Sequence, residues 1–112
     1  MFDVITFGSA SQDIYLKSNK FLPVSGKNFT TGQGICLALG SKVEVDDLFF
    51  SSGGGGTNTS ATFANLGLKT AWFGQVGDDC FGDLIIKELE NLKVDTKFIL
   101  KTKNKLTNTS VF

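Results

Sequence analysis

The 112-residue sequence contains no histidine, no arginine and a single proline. Without histidine it lacks the side chain that titrates nearest neutral pH, and without arginine it lacks the planar group that binds phosphate in bidentate fashion. Any catalysis must therefore rest on carboxylates, amides, hydroxyls and backbone groups. The eleven acidic residues balance eleven lysines, so the formal net charge is zero. Such a chain has no general field to attract nucleic acid or an anionic membrane, and we expect neither as a partner.

Cysteine and long apolar runs are also scarce. Cys36 and Cys80 lack the spacing typical of metal ligands or of a CxxC motif, which predicts two reduced and mostly buried thiols and no metal site. The N-terminal segment MFDVITFGSA is too short and too acidic for a signal peptide, and no apolar run is long enough to span a bilayer. These features predict a cytoplasmic protein.

The first half of the chain is rich in β-prone segments. The apolar run from Asp3 to Gly8 predicts a buried parallel strand, and SASQDIYLKS continues with β-type alternation. Between Phe21 and Phe50, the segments NFTTG, ICLAL and KVEVDDLFF predict small antiparallel hairpins.

Helices and strands alternate in the second half. TNTSATFANLGLK predicts a helix that ends at Gly67, with a packed stripe formed by Ala61, Phe63, Ala64 and Leu66. TAWFGQVG predicts a second buried strand and DDCFGDLIIKELENLKV an amphipathic helix. DTKFILK and TNTSVF predict two further strands. The whole order predicts an α/β fold with a β insertion.

Four consecutive glycines, Gly53 to Gly56, precede the first predicted helix. A glycine-rich turn at this place can direct backbone N–H groups at a ligand near the positive end of the helix. A P-loop would require Gly-Lys-Ser/Thr, but Thr57 and Asn58 follow Gly56. The dinucleotide pattern GxGxxG also fails, because Asn58 occupies its third glycine position. Both phosphate-binding patterns are therefore weak.

Asn58 favours a neutral ligand instead. Its amide offers one acceptor and two donors, which match sugar hydroxyls. Asp13 follows the first strand, and Ser11 lies two residues earlier, on the same side of an extended segment. If the strands are adjacent and parallel, these side chains and the glycines meet at one carboxyl edge, where open α/β sheets bind ligands. The spacing alone is explained equally well by ordinary turn and cap residues around a flexible loop.

A family resemblance favours the binding site. GGGGTNTSATFANLGLKTAWFGQVGDDCFG, from Gly53 to Gly82, closely resembles the first signature of the ribokinase-like (PfkB) carbohydrate kinases, and GSASQD resembles their first-strand motif. The similarity runs from residue 1 to 112. It implies a three-layer αβα fold of which this chain is the N-terminal portion. It also implies that residues 14 to 50, approximately, form a small β lid inserted after the first strand, which closes over the sugar and excludes water.

The resemblance implies transfer of the γ-phosphoryl group of ATP to a hydroxymethyl group of a sugar or nucleoside. Asp13 and Asn58 would hold substrate hydroxyls, the glycines would let the backbone approach the sugar, and Ser11 would occupy a position that often contacts substrate. The expected substrate-binding residues are Ser11, Asp13, Gly53, Gly54, Gly55 and Asn58.

Two departures from the family pattern affect these expectations. Gly55 replaces a lysine that is frequent in ribokinases, and the segment between Asp13 and Gly53 is longer than usual. These changes are compatible with a different sugar, a nucleoside, or an enlarged lid that forms a homodimer.

The family's second signature, a DTxGAGD-like motif with the catalytic aspartate, is absent. We therefore expect no catalytic residue in this chain, and we expect ATP and Mg²⁺ to bind only the full-length enzyme. The last strand stops without a turn or polar tail, as in a truncated chain, which should be inactive alone. The alternative is a non-catalytic polyol-binding or dimerisation module.

Overall fold

The computed structural model of the protein describes residues 1–112. The chain divides into two compact units, one of Met1–Ile14 with Phe50–Phe112 and one of Tyr15–Phe49. The elements in chain order are β1 (Val4–Phe7), β2 (Ser11–Lys17), β3 (Leu22–Ser25), β4 (Gln33–Cys36), β5 (Asp47–Gly53), α1 (Gly55–Asn65), β6 (Thr70–Gly77), α2 (Cys80–Asn91), β7 (Ile99–Thr102) and β8 (Thr109–Val111).

Three small sheets organise these strands. One has the order β1-β6-β7 and is parallel throughout; the second has the order β5-β2-β8, with β2 and β8 parallel. β3 and β4 form an antiparallel pair. Parallel strands require crossover connections, which α1 and α2 provide. The predicted α/β class is thereby confirmed.

The core of the first unit lies between the β1-β6-β7 sheet and the two helices. Trp72 and Val76 point from one face of β6 toward Ile85 and Leu89 of α2, and all four are buried. Alternation along a strand places side chains on opposite faces. The other face of the sheet accordingly presents exposed apolar side chains: Ile5, Phe7, Phe73 and Leu100. The 112 residues thus supply the sheet and one helical layer.

α1 differs from its prediction in where it begins and in what it buries. The helix starts at Gly55, so two of the four glycines belong to its first turn. Its buried residues are Gly56, Thr57 and Ser60, whereas Leu66, predicted to pack, is 72% exposed. The buried hydroxyls are accommodated because they bond to backbone carbonyls of the same segment. The prediction for the end of the helix is confirmed, since Gly67 has a φ of 87° just beyond it.

The second unit is less regular than predicted. β3 and β4 form an antiparallel hairpin, but β3 lies outside the predicted segments and only the first two residues of ICLAL belong to β4. The segment NFTTG, residues 28–32, lies in turns rather than in a strand. Hydrogen bonds between Gly26 and Gly32 and between Phe29 and both glycines close this turn. In KVEVDDLFF only the part from Asp47 onward is a strand. Strand propensity without a partner strand is not sufficient, which explains both errors.

The cysteines are free and exposed, so the expectation that they are mostly buried is wrong. Cys36 ends the short strand β4, and Cys80 is the first residue of α2. Neither position faces the core. Neither of the two helices has the length and hydrophobicity needed to cross a membrane.

Candidate functional site

Ser11, Asp13 and Gly53 meet where β5 ends beside the start of β2. The Ser11 hydroxyl donates to Asp13 Oδ1 at 2.9 Å, as expected for residues two apart on one side of a strand. Gly53 lies so close that a Cβ on it would overlap Asp13 Oδ2 and stand 2.9 Å from Ser11 Oγ. Any side chain at position 53 would therefore displace the carboxylate.

The other three glycines differ in what a side chain at each position would contact. Gly54 has a φ of 100°, and a Cβ there would lie 2.5 Å from the Ser9 carbonyl oxygen. Gly56 packs inward, where a Cβ would lie 2.5 Å from Trp72 Nε1. Gly55 alone is exposed, and a Cβ added to it would have no protein atom within 4 Å. Packing therefore explains Gly54 and Gly56, whereas open space faces Gly55.

The N-terminus of α1 carries no side-chain cap and no acidic residue in its first turn. The turn is held instead by the Thr57 hydroxyl, which donates to the Gly53 carbonyl at 2.6 Å. The Asn58 backbone N–H donates to the Gly54 carbonyl at 3.0 Å, while its side chain is exposed and forms no hydrogen bond within the protein. The amide of Asn58 is thus available to a ligand at the positive end of the helix.

Two buried or half-buried side chains fix the end of β5, and sequence reasoning missed both. Glu88 of α2 accepts a hydrogen bond from the Ser52 N–H at 2.7 Å. Gln12 is 1% exposed and donates to the Ser51 carbonyl at 3.1 Å. The contact of Glu88 could not be predicted, because nothing in the sequence distinguishes it from the other glutamates of α2. The alternation along β2 places Gln12 on the side opposite Asp13, so it could have been assigned to the interior.

A second aspartate, Asp79, lies within the segment from Gly77 to Gly82 and is bonded extensively by the protein. It caps α2, accepting from the Gly82 N–H at 2.8 Å, and also accepts from the Thr107 N–H at 2.8 Å and the Thr107 hydroxyl at 2.7 Å. The hydrogen bonds from Thr107 and Gly82 hold the pKa of Asp79 below its usual range. The Gly77 N–H in turn donates to the Thr107 hydroxyl at 2.9 Å. We call Asp79 together with Gly77, Gly82 and Thr107 the Asp79 clamp.

The charge of the site is carried by one group. Among the six residues expected from the sequence, only Asp13 is charged. The carboxylate borders Gly53, directly before the uncapped turn of α1, so it would repel a phosphate placed there. Nowhere in residues 1–112 do three histidine, cysteine or carboxylate side chains gather in a way that could hold a metal ion. The arrangement suits a neutral ligand rich in hydroxyl groups.

Comparison with known proteins identifies the family of the chain. The model of the pfkB family carbohydrate kinases matches residues 1–112. The chain belongs to this family. Among the proteins similar in sequence to this chain is ribokinase of Mus musculus. It is 32% identical over 71 residues, which cover 63% of this chain and 22% of that protein. Fructokinase of Vibrio alginolyticus is 39% identical over 59 residues, covering 53% of this chain and 19% of the fructokinase.

Solved structures show the same fold. Arabidopsis thaliana ribokinase, solved with ribose and ATP, aligns over 96% of this chain with a TM-score of 0.73 and 24% identity. A PfkB protein from Polaromonas aligns over 99% with a TM-score of 0.70 and 20% identity. These alignments cover 30% and 31% of the two larger chains. The chain therefore corresponds to the N-terminal portion of the ribokinase-like fold, which confirms the predicted fold class.

Proposed function

We propose that this chain forms the sugar-binding part of a carbohydrate kinase and that Asp13 is its principal ligand for substrate hydroxyls. The observation that carries the proposal is the contact of Asp13 with Ser11 and Gly53 beside the uncapped first turn of α1. Membership of the pfkB family supports the reaction class. The substrate is a sugar or nucleoside with a hydroxymethyl group as phosphoryl acceptor.

The hydrogen-bonding capacity of the site fits such a substrate. Asp13 receives one hydrogen bond from Ser11, which leaves Oδ2 and further lone pairs for ligand hydroxyls. Because the Ser11 proton is directed at Asp13, the oxygen of Ser11 can accept from a ligand. Asn58 adds two donors and one acceptor. Holding the acceptor in place is itself a large part of catalysis of phosphoryl transfer.

ATP and Mg²⁺ belong to the reaction that the family performs, and ribokinases of the family have been solved with ATP or ADP. The residues of this chain do not fit either group: the glycine turn has no following Gly-Lys-Ser/Thr, and no cluster of metal ligands is present. We therefore assign to residues 1–112 the binding and orientation of the sugar alone. The catalytic base and the nucleotide contacts would be supplied by residues outside this range.

The second unit, residues 15–49, is proposed to be the lid and the surface for a homodimer. Ile35 in β4 and Leu37 just after it are 58% and 51% exposed, and they suit an apolar contact with a second copy. Sedimentation velocity should detect a dimer that Ile35→Lys disrupts. A chain that stays monomeric at all concentrations would contradict the dimer without affecting the sugar site.

Calorimetric titration with ribose, fructose and adenosine tests the main proposal. We expect at least one of them to bind, and Asp13→Ala to weaken that binding by about ten- to a hundredfold, because a charge-assisted hydrogen bond is lost. Asp78→Ala removes an exposed carboxylate elsewhere and is the matched control. Unchanged affinity of Asp13→Ala, or no binding by the unmodified chain, would overturn the assignment. We also expect no ADP formation by this chain alone, and any sugar phosphate formed would place the base within it.

A further inference from the structure

The pairing of β2 with β8 places a serine beside Asp13. The two strands are parallel, and Asp13 pairs with Ser110. Side chains of paired residues in neighbouring strands project to the same face of the sheet, about 5 Å apart. Since β2 lies between β5 and β8, Asp13 has Gly53 on one side and Ser110 on the other.

Among the three hydroxyl groups of residues 107–110, that of Ser110 is the one without a hydrogen bond to the protein. The Thr107 hydroxyl donates to Asp79, and the Thr109 hydroxyl donates to the Thr107 carbonyl at 3.1 Å. Ser110 is half-buried and its hydroxyl forms no hydrogen bond within the protein. A half-buried hydroxyl without a protein partner is best satisfied by water or by a ligand.

The backbone that carries Ser110 is held firmly in place. The Asp79 clamp fixes Thr107, two residues before the start of β8. The Gln12 N–H donates to the Asn108 carbonyl at 2.8 Å, which ties this segment to β2 one residue before Asp13. A hydroxyl on such a fixed strand loses little freedom when it binds a ligand.

We propose that Ser110 is a specificity-determining residue of the sugar site, which rests on the sugar-binding function proposed above. Its hydroxyl binds a second ligand hydroxyl next to the one held by Asp13. Because the two side chains project to the same face from neighbouring strands about 5 Å apart, one sugar ring can present neighbouring hydroxyls to both of them. The site therefore selects polyols with two neighbouring free hydroxyls over monodeoxy analogues that lack one of them.

The test is calorimetry of wild type and Ser110→Ala with the sugar that wild type binds best and with its monodeoxy analogues. Wild type should bind the sugar about three- to tenfold more tightly than Ser110→Ala does, the value of one neutral hydrogen bond. At least one monodeoxy analogue should bind both proteins equally. Ser110→Thr, which keeps the hydroxyl, should restore most of the affinity. Thr109→Ala, on the opposite face of β8, is the control and should bind like wild type.

The outcomes separate the two proposals. If wild type binds a sugar and Ser110→Ala binds it equally well, the role of Ser110 is overturned and the sugar site stands. If Thr109→Ala weakens binding as much as Ser110→Ala, displacement of β8 explains the effect and the role of Ser110 is likewise overturned. If wild type binds no polyol, both proposals fail. Melting temperatures close to that of wild type are expected for Ser110→Ala, because no bond within the protein is lost.

Discussion

Asp13 and Asp79 are built into similar surroundings but differ in how fully their oxygens are bonded. Each carboxylate accepts a hydrogen bond from a hydroxyl, Ser11 or Thr107, and each lies against a glycine that must lack a side chain. Asp79 accepts two backbone N–H groups in addition, from Gly82 and Thr107. Asp13 accepts only the Ser11 hydroxyl among the groups of the protein.

The difference indicates how a structural carboxylate can be told from a binding one. A carboxylate that accepts three hydrogen bonds from the protein, as Asp79 does, stabilises the fold and has little to offer a ligand. A carboxylate that accepts one, as Asp13 does beside an open helix N-terminus, retains that capacity. In the sequence both residues stand near glycines, so motif matching alone does not separate them.

The largest expected effect comes from Asp79→Ala. This change leaves two backbone N–H groups and a buried hydroxyl without their acceptor, so the melting temperature followed by circular dichroism should fall clearly. Asp13→Ala should leave the melting temperature almost unchanged while it weakens sugar binding. If both variants lose the same stability, the distinction between the two carboxylates is wrong.

Gly53→Ala should damage the site and the fold together. The new methyl group would overlap Asp13 Oδ2, and relief of such overpacking costs about 1–3 kcal/mol of unfolding free energy. Sugar binding should be lost as well, because the carboxylate must move. Urea denaturation and calorimetry measure the two effects. Wild-type affinity in a folded Gly53→Ala protein would show that the position of Asp13 is irrelevant to binding.

Acid should act on the protein partly through Asp79. Because its pKa in the folded protein is below the ordinary value of 3.8, its stabilising contribution is complete above that pH and is lost as the pH falls through the lowered pKa. Asp79→Asn removes this titration, so the melting temperature of the variant should fall less steeply below pH 4 than that of wild type. Parallel curves for the two proteins would contradict the assigned role of the clamp.

Gly55→Ala should have the smallest effect on stability. No protein atom lies within 4 Å of the added methyl group, and alanine is a better helix former by about 1 kcal/mol or less, so the unfolding free energy should be equal or slightly higher. If the sugar fills this open space, affinity should fall in a fully stable protein. Gly56→Ala is the comparison variant, which should be less stable than wild type because its added methyl group would overlap Trp72 Nε1. Unchanged affinity of Gly55→Ala would remove Gly55 from the site.

Local pattern was enough to predict much of the fold and the placement of Ser11 and Asp13 on one side of a strand. The apolar runs of β1 and β6 and the periodicity of α2 predicted those elements, and the i, i+2 spacing predicted that Ser11 and Asp13 face the same way. These features depend on neighbours in the chain. The contact of Gly53 with Asp13 arises differently from the expectation, because the end of β5 meets the start of β2 and the two residues do not lie at a shared carboxyl edge of parallel strands.

What the sequence did not predict depends on distant partners. Thr107 reaches Asp79 across 28 residues, and Glu88 reaches Ser52 across 36, with no local pattern to mark either contact. The register that places Ser110 beside Asp13 also appears only once β2 and β8 are paired. The strand predicted for NFTTG was wrong because of nearby partners rather than distant ones. Hydrogen bonds that join Gly26, Phe29 and Gly32 in a turn overrode the strand propensity of the segment.

The position of Trp72 gives the protein an internal optical reporter. It is the single tryptophan of the chain, it is fully buried, and its indole N–H donates to the Gly8 carbonyl at 3.3 Å. Gly56, in the first turn of α1, lies directly against this indole nitrogen. Its fluorescence emission should therefore respond when the glycine turn shifts, which allows ligand titrations to be followed without attaching any dye.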